Sequence, residues 1–376
     1  MTELAPYLES FDEEPGYLDW ARFGPLSPAV RAELLADAEV LGTGRRSGIE
    51  LVAGHAAQAR ETIAELAGTD AGHVALQPST SDGLMQALFG LRGGILLSRR
   101  EFPSLPVAAA RAAEALGALR PYWIDPADGF ASVDAVREAL TDEIDAVGVS
   151  LVDFRTGYLA DLAGLREAIG DRLLIVDAVQ GFGVVDVDYG AADVVCGNGY
   201  KWLRAGRGTG FAVFGDRALD RLTPVYSGIG GADADMDADA QGIVPARSRG
   251  ALAFAVSEPD DLAMTRLATA TAQVRDAGVP AISREVSRRL DELVDCADRH
   301  GIPVLTPRDP ARRAGILTLD PRPGEAAALG AALANCGVTA TAREGRIRLA
   351  AHAGTGDETV RLLDDALTVY SAARPW

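Results

Sequence analysis

The sequence predicts an α/β protein whose mostly parallel sheet is covered by helices on both faces. Short, nearly continuous runs of Val, Ile and Leu recur along the first two thirds of the chain, and stretches with helical spacing separate several of them. After residue 250 the texture changes to a long helical region, isolated strand patterns and two further helices, the pattern of a smaller α/β unit. A chain of 376 residues is long enough for two such units. The expected division gives a large domain over 16–250 and a small C-terminal domain over 251–376, joined by the N-terminal segment 1–15.

Taken in order, HVALQPS (73–79) reads as a strand stopped by Pro78. TSDGLMQALFGL (80–91) follows with helical spacing, and Thr80 or Ser81 is available as its N-cap. Further strands are expected at 94–98, 119–124, 146–152, 173–178, 192–197 and 210–214, which makes a seven-stranded sheet. Helices are expected at 104–117, 132–140 and 161–169. Beyond a join near 225–260, a helical region over about 261–300 precedes a strand at 314–320, a helix at 324–336, a strand at 346–350 and a last helix at 356–372.

Charge and composition narrow the function. A formal charge of −18 opposes a nucleic-acid partner, whose phosphates require basic surface. Cys196, Cys296 and Cys336 are far apart and form no CxxC pair, which points to a reducing compartment. The first sixteen residues lack the basic start and apolar core of a signal peptide, and no run approaches the roughly 20 apolar residues of a membrane span. A cytoplasmic protein is expected. Asp233, Asp235, Asp237 and Asp239 alternate as in a calcium loop, but Ala238 and Val244 stand where such a loop needs glycine and glutamate. A solvated loop is the better reading, and no metal is expected. GRGTG (206–210) precedes a strand instead of joining strand to helix, so a nucleotide-binding oxidoreductase lacks its fingerprint.

In a sheet of this kind functional groups gather beyond the carboxyl ends of the strands. STSD (79–82) follows the first strand and opens a helix, where free N–H groups favour a phosphate. Asp177 and Gln180 follow LLIV, and Tyr200 and Lys201 follow ADVVCG. A phosphate seat, a buried carboxylate and a lysine at an apolar strand end are what pyridoxal phosphate requires. The carboxylate keeps the pyridine nitrogen protonated, and a desolvated lysine is nucleophilic near neutral pH.

From YLDWARFGPLSPAV (17–30) to RIRLAAH (346–352) the chain resembles the class-V aminotransferases among the fold-type I PLP enzymes, a group that includes cysteine desulfurases, kynureninases and isopenicillin-N-epimerase-like proteins. Its most specific piece is the stretch 176–214, where Asp-x-x-Gln is followed by a lysine 24 residues after the aspartate. The resemblance implies Lys201 as the Schiff-base lysine that also moves protons at the α-carbon. It implies Asp177 as the pyridinium partner and Gln180 as donor to the ring hydroxyl. Thr80 and Ser81 would form the phosphate cup, Tyr200 a phosphate contact and Phe102 the residue stacked on the ring. Arg348 would grip the substrate carboxylate. A small α-amino acid as substrate and a homodimer are implied as well.

The sequence also departs from the family pattern. Phe154 falls where an asparagine beside the cofactor is usual, and Glu258 replaces the threonine of a Gly-Thr-Pro phosphate contact. No cysteine lies between Gly337 and Arg348, which disfavours a desulfurase. Arg45 or Arg46, in GTGRRSG (42–48), could reach an active site and meet an acidic substrate. Transamination is the expected reaction. β-Elimination of a C–S bond and a kynureninase- or epimerase-like reaction remain alternatives, because they share the cofactor site. A non-enzymatic protein of this fold is opposed by the joint presence of Asp177, Gln180, Lys201 and Arg348.

Overall fold

The computed structural model describes residues 4–126, 129–233 and 244–373. Asp235, Asp237 and Asp239 of the acidic loop lie outside them. The chain opens with α1 (Leu4–Glu9), α2 (Pro28–Gly42), α3 (Arg46–Ala53) and α4 (His55–Ala67). Then come β1 (Val74–Gln77), α5 (Thr80–Gly90), β2 (Gly93–Ser98), α6 (Ser104–Leu116), β3 (Leu119–Ile124), α7 (Val133–Ala139), β4 (Ile144–Ser150) and α8 (Leu162–Ile169). β5 (Leu173–Asp177), β6 (Val194–Asn198), β7 (Gly210–Phe214) and α9 (Asp216–Arg221) complete the first part. The rest holds α10 (Asp261–Ala277), α11 (Val279–Arg299), β8 (Ile316–Leu319), α12 (Ala326–Asn335), β9 (Thr341–Arg343), β10 (Arg346–Ala350) and α13 (Asp357–Ala372).

β1 to β7 form one sheet in the order β1-β7-β6-β5-β4-β2-β3. The ladders between β3, β2, β4, β5 and β6 are parallel, and β7 runs antiparallel to both of its neighbours. The continuous apolar runs have a direct cause, since the central strands are buried on both faces. In β5, Leu174 and Val176 enter the core that also holds Ile63 of α4 and Leu267 of α10, whereas Leu173 and Ile175 enter the opposite core with Leu88 of α5 and Leu105 of α6. Alternate residues of one strand thus serve two layers.

A second sheet, β8-β10-β9, is antiparallel. Leu317, Leu319, Ile347 and Leu349 cover one of its faces and pack with Leu293 of α11, Leu333 of α12 and Leu367 of α13. β9 is absent from the expected elements. It is three residues long and joins β10 through Glu344 and Gly345, which have φ of 52° and 77°. Positive φ at both positions suits a tight hairpin turn. The helical region expected over 261–300 is two helices, separated at Gly278 with φ of 84°. α10 packs on α2 and α4, and α11 on β8 and α13. Among the described residues, no helix is long and apolar enough to cross a membrane.

Candidate active site

The parallel strands β4, β5 and β6 end side by side, with Ser150 opposite Asp177 and Asp177 opposite Cys196 in the ladders. The polar residues that follow these ends therefore share one space. Two adjoining cavities occupy it. One, of about 250 Å3, is lined by Thr80, Ser81, Ser104, Asp177, Asn198 and Lys201 among others. A larger one, of about 650 Å3, opens from Lys201, Phe102 and Gln180 toward Arg348 and the small sheet.

Lys201 stands three residues beyond β6 in a turn closed by Ala205 N–H to the Gly199 carbonyl (2.7 Å) and Arg204 N–H to the Lys201 carbonyl (3.0 Å). It is 5% exposed, although its side chain carries an ammonium group. Its Nζ lies 5.6 Å from the centre of the Phe102 ring and 5.3 Å from that of Tyr200. Burial lowers its pKa from 10.5 to about 8; the attraction of Asp177 opposes that shift, and the charges of Arg348 and Arg207 add to it. Lys201 is also the only lysine in the 376-residue sequence. That signal is plain in the residue list and was not used in the expectations above.

Asp177 closes β5, is 2% exposed, and accepts the Val179 N–H at 3.0 Å through Oδ1. Burial raises its pKa, while that hydrogen bond and the nearby Lys201 work in the other direction. Gln180 is fixed by two bonds: its Nε2 donates to the Ala21 carbonyl, and its Oε1 accepts the Trp202 indole N–H, each at 2.9 Å. The amide orientation is set, and one N–H of Nε2 is left over at the cavity wall.

The expected helix cap is corrected. Ser79, extended at φ −156°, caps α5 by accepting the Asp82 N–H, so Thr80 and Ser81 are the first helical residues. Ser79 reaches back because its own backbone is not yet helical, and this leaves the next two hydroxyls uncommitted to capping. Ser81 Oγ lies 2.7 Å from Ser104 Oγ. Thr80 Oγ1 is buried without a hydrogen-bond partner. An orphaned hydroxyl at a helix N-terminus beside a polar cavity is the arrangement a phosphate would satisfy. The residues present therefore fit the group expected from the sequence.

Phe102 follows β2 and lines both cavities, meeting Phe154 edge to face at 5.2 Å. Tyr200 also lines both, with the Arg207 guanidinium 4.8 Å from its ring centre. Arg348 projects from β10, donates Nη1 to the Phe154 carbonyl at 3.1 Å and places Nη2 3.5 Å from Asp19. Its Nε is buried without a partner. All eight residues singled out in the sequence thus line one or both of two adjoining cavities.

Other expectations fall elsewhere. Arg46 pairs with Glu50 at 2.8 Å on an exposed stretch of α3, and neither it nor Arg45 lines either of these two cavities. Glu258 is exposed and lines neither cavity. His352 is fully buried, with Nε2 2.8 Å from the Trp202 carbonyl and Nδ1 accepting the Ala353 N–H. Burial lowers its pKa to about 3, which keeps it neutral.

Sequence reasoning overlooked Arg155, Arg207 and Arg343 on the cavity wall, and Glu101 beside Phe102. Glu101 accepts the Ser150 N–H, and burial raises its pKa to about 7. For Arg343 the stretch TAREGRIRL (341–349) is the legible signal, because the hairpin pairs Arg343 with Arg346 and Thr341 with Arg348 and so places them on one face.

Comparison with known proteins accords with this geometry. The family described as Aminotransferase class-V matches residues 45–345. A kynureninase of Deinococcus radiodurans is 30% identical over 266 residues, covering 67% of this chain and 62% of the relative. The chain thus spans less than two thirds of that relative's length. The uncharacterized aminotransferase YcbU of Bacillus subtilis is 26% identical over 312 residues, covering 81% of this chain and 80% of the relative. Among solved structures, a mutant of C-DES with glycine covalently linked to its PLP cofactor superposes with a TM-score of 0.84 at 18% identity, over 95% of this chain and 96% of that one. That protein is described elsewhere as a cystine C-S lyase. At such identity the likeness establishes the fold, that of the fold-type I PLP enzymes.

Proposed function

Since the chain belongs to the class-V aminotransferase family, we propose that it binds pyridoxal phosphate and acts at the α-carbon of a small amino acid as an aminotransferase. The observation that carries this reading is Lys201: a lone lysine, buried beside two aromatic rings, with its pKa lowered to about 8.

In this reading Thr80 and Ser81, at the start of α5, hold the phosphate with help from Tyr200. Phe102 would pack on the ring, and the spare N–H of Gln180 would be offered to the ring hydroxyl. Asp177, kept from water, would hold the ring nitrogen in its protonated form. Bound there, the cofactor supplies an electron sink for negative charge that develops at the α-carbon. Lys201 would hold the cofactor through its amine and would carry the proton to and from the α-carbon. At pH 7 a lysine with pKa near 8 is about one tenth neutral, whereas an ordinary lysine is neutral in well under one part in a thousand. Arg348 takes the substrate α-carboxylate: its Nε has no partner, and Nη2 would exchange its 3.5 Å contact with Asp19 for the substrate. The Phe102–Phe154 contact would supply an apolar wall beside the reacting carbon.

The two sheets, in this reading, belong to the two domains drawn at residue 250, with α10 as the strap that reaches back onto α2 and α4. A homodimer in the cytoplasm completes the proposal. A second reading, cleavage of a side-chain bond in the manner of a lyase, is supported by the similarity to kynureninase and by the aromatic wall of Phe102, Phe130 and Phe154.

The test begins with borohydride reduction of the cofactor-treated protein and mapping of the modified peptide. A pyridoxyl mass on the peptide with Lys201 supports the assignment, and an unmodified peptide sinks it. Mixing the holoprotein with amino-acid pools then separates the two reactions. Lasting conversion to the pyridoxamine spectrum, reversed by a keto acid, marks an aminotransferase. Steady release of keto acid and ammonia marks a lyase.

A further inference from the structure

We propose that Arg155 and Arg343, on the cavity wall around Phe154, form an anion subsite for the substrate side chain, so that the preferred amino acid carries a second carboxylate. This rests on the reading of the cavity as an amino-acid site given above.

The first support is the sign of the charge. Among the described residues, the larger cavity is lined by seven arginines and Lys201 against a single carboxylate, Glu344, in a chain whose formal charge is −18. A concave surface of one sign focuses its field and concentrates counter-ions. Among the described residues the seven arginines share five acids within 4.0 Å: Asp19 serves both Arg22 and Arg348, while Asp125, Asp153, Asp320 and Glu344 serve one each. Arg207 has none of them, so the wall as a whole carries a positive excess that favours an anionic substrate; where on that wall a second acid would sit is a matter of geometry.

The second support is geometry. The guanidinium carbons of Arg155 and Arg343 lie 5.7 Å and 5.2 Å from the centre of the Phe154 ring. Phe154 itself cannot drift. Asp153 Oδ1 accepts the N–H groups of Arg155 and Thr156 and the Thr156 hydroxyl, which folds residues 153–156 into a tight turn. The small sheet grips that turn twice, through Arg348 Nη1 on the Phe154 carbonyl and the Thr318 hydroxyl on the Arg155 carbonyl. The arginine proposed for the α-carboxylate is therefore tied to the turn that bears the proposed side-chain subsite.

The third support is free hydrogen-bonding capacity. Arg155 commits Nε and Nη2 to Asp153 and the Gly129 carbonyl, and its Nη1 makes no hydrogen bond to a described residue. Arg343 has only Glu344, at 3.4 Å, and both side chains are more than half exposed. Such a surface pair is weak and exchanges readily for a ligand. The free edge of Arg155 and the loosely held fork of Arg343, their guanidinium carbons 5.7 Å and 5.2 Å from the centre of the same ring, are the donors assigned to the second carboxylate.

The experiment titrates the holoprotein with L-aspartate against L-asparagine and L-glutamate against L-glutamine, following the cofactor absorption. Calorimetry with glutarate and its monoamide runs beside it as a readout that needs no reaction. We expect an acid of the right length to bind about tenfold tighter than its amide. Arg343→Gln should lower affinity for that acid about tenfold and for the amide less than twofold. Arg155→Gln should do the same; if losing the partner of Asp153 impairs folding, Arg343→Gln decides alone. Equal binding of acid and amide, or equal weakening of both by Arg343→Gln, overturns the proposal. Amide-equal binding by a protein with a normal cofactor spectrum leaves the cofactor reading intact. A protein with no cofactor spectrum removes that reading, and the glutarate comparison still decides the subsite.

Discussion

Replacing Lys201 with methionine should make the apoprotein more stable, and the gain should fade as the pH rises. The substitution removes the ammonium and retains an unbranched chain of similar length. In the folded protein Lys201 titrates at about 8, against 10.5 for an unburied lysine. Between those values the unfolded chain binds more protons than the folded one, so wild-type stability rises with pH across that window. Below pH 8 the full penalty stands, and the shift from 10.5 to about 8 corresponds to roughly 3 kcal/mol against the charged form. The attraction of Asp177 is already contained in that net value. Lys201→Met should therefore gain about 3 kcal/mol at pH 7, about 2 kcal/mol at pH 9 and no more than about 1 kcal/mol at pH 10. Urea unfolding of cofactor-stripped wild type and variant, followed by tryptophan fluorescence at the three pH values, measures the difference. A variant no more stable than wild type at pH 7, or a gain unchanged at pH 10, would refute the claim that burial sets the state of this lysine. The expected outcome is the signature of a residue kept for chemistry at the expense of stability.

Two further substitutions probe the surrounding seat. Thr80→Val removes a hydroxyl that has no partner, so the apoprotein melting temperature should hold or rise slightly while cofactor affinity falls about tenfold in an absorption titration; unchanged affinity would take Thr80 out of the phosphate seat. Gln180→Leu strands the Trp202 indole N–H and the Ala21 carbonyl in the interior, and should lower the unfolding free energy by about 1–3 kcal/mol in urea. A neutral result would mean that neither bond holds the lysine loop.

What the sequence made legible follows from periodicity and chain order. β5 and β6 are buried on both faces, so their apolar runs announce parallel strands, and the polar residues that follow them announce the site. Residues 28–42 carry no such signal. In α2 only Val30 and Asp37 are buried, and without an apolar stripe a helix leaves no periodic trace. β9 escaped because three residues are too few to establish a period. Around the site, residues that act through their own side chain at a strand end were readable; those brought in by tertiary packing were not. Arg155 sits in a turn whose position depends on the small sheet, and Arg207 is exposed in a glycine-rich loop with nothing local to mark it.

The lysine loop shows why that packing matters. Residues 200–207 are bonded by segments remote from them in sequence. The Gly24 N–H donates to the Tyr200 carbonyl at 2.8 Å, and a Cβ on Gly24 would sit 1.9 Å from the Lys201 carbonyl, so only glycine allows the approach. Trp202 is held by Gln180 through its indole and by His352 through its carbonyl. Arg204, buried with φ of 62°, donates to Ser10 and to the Pro25 carbonyl and lies 3.9 Å from the Phe11 ring centre. Arg266 of α10 takes the Ala205 and Arg207 carbonyls. The N-terminal segment, β5, the end of the small sheet and α10 thus converge on a few residues of backbone. A loop bound from so many directions cannot swing its lysine out to water, and that is the physical reason an amine stays buried with its pKa near 8 instead of relaxing to the surface.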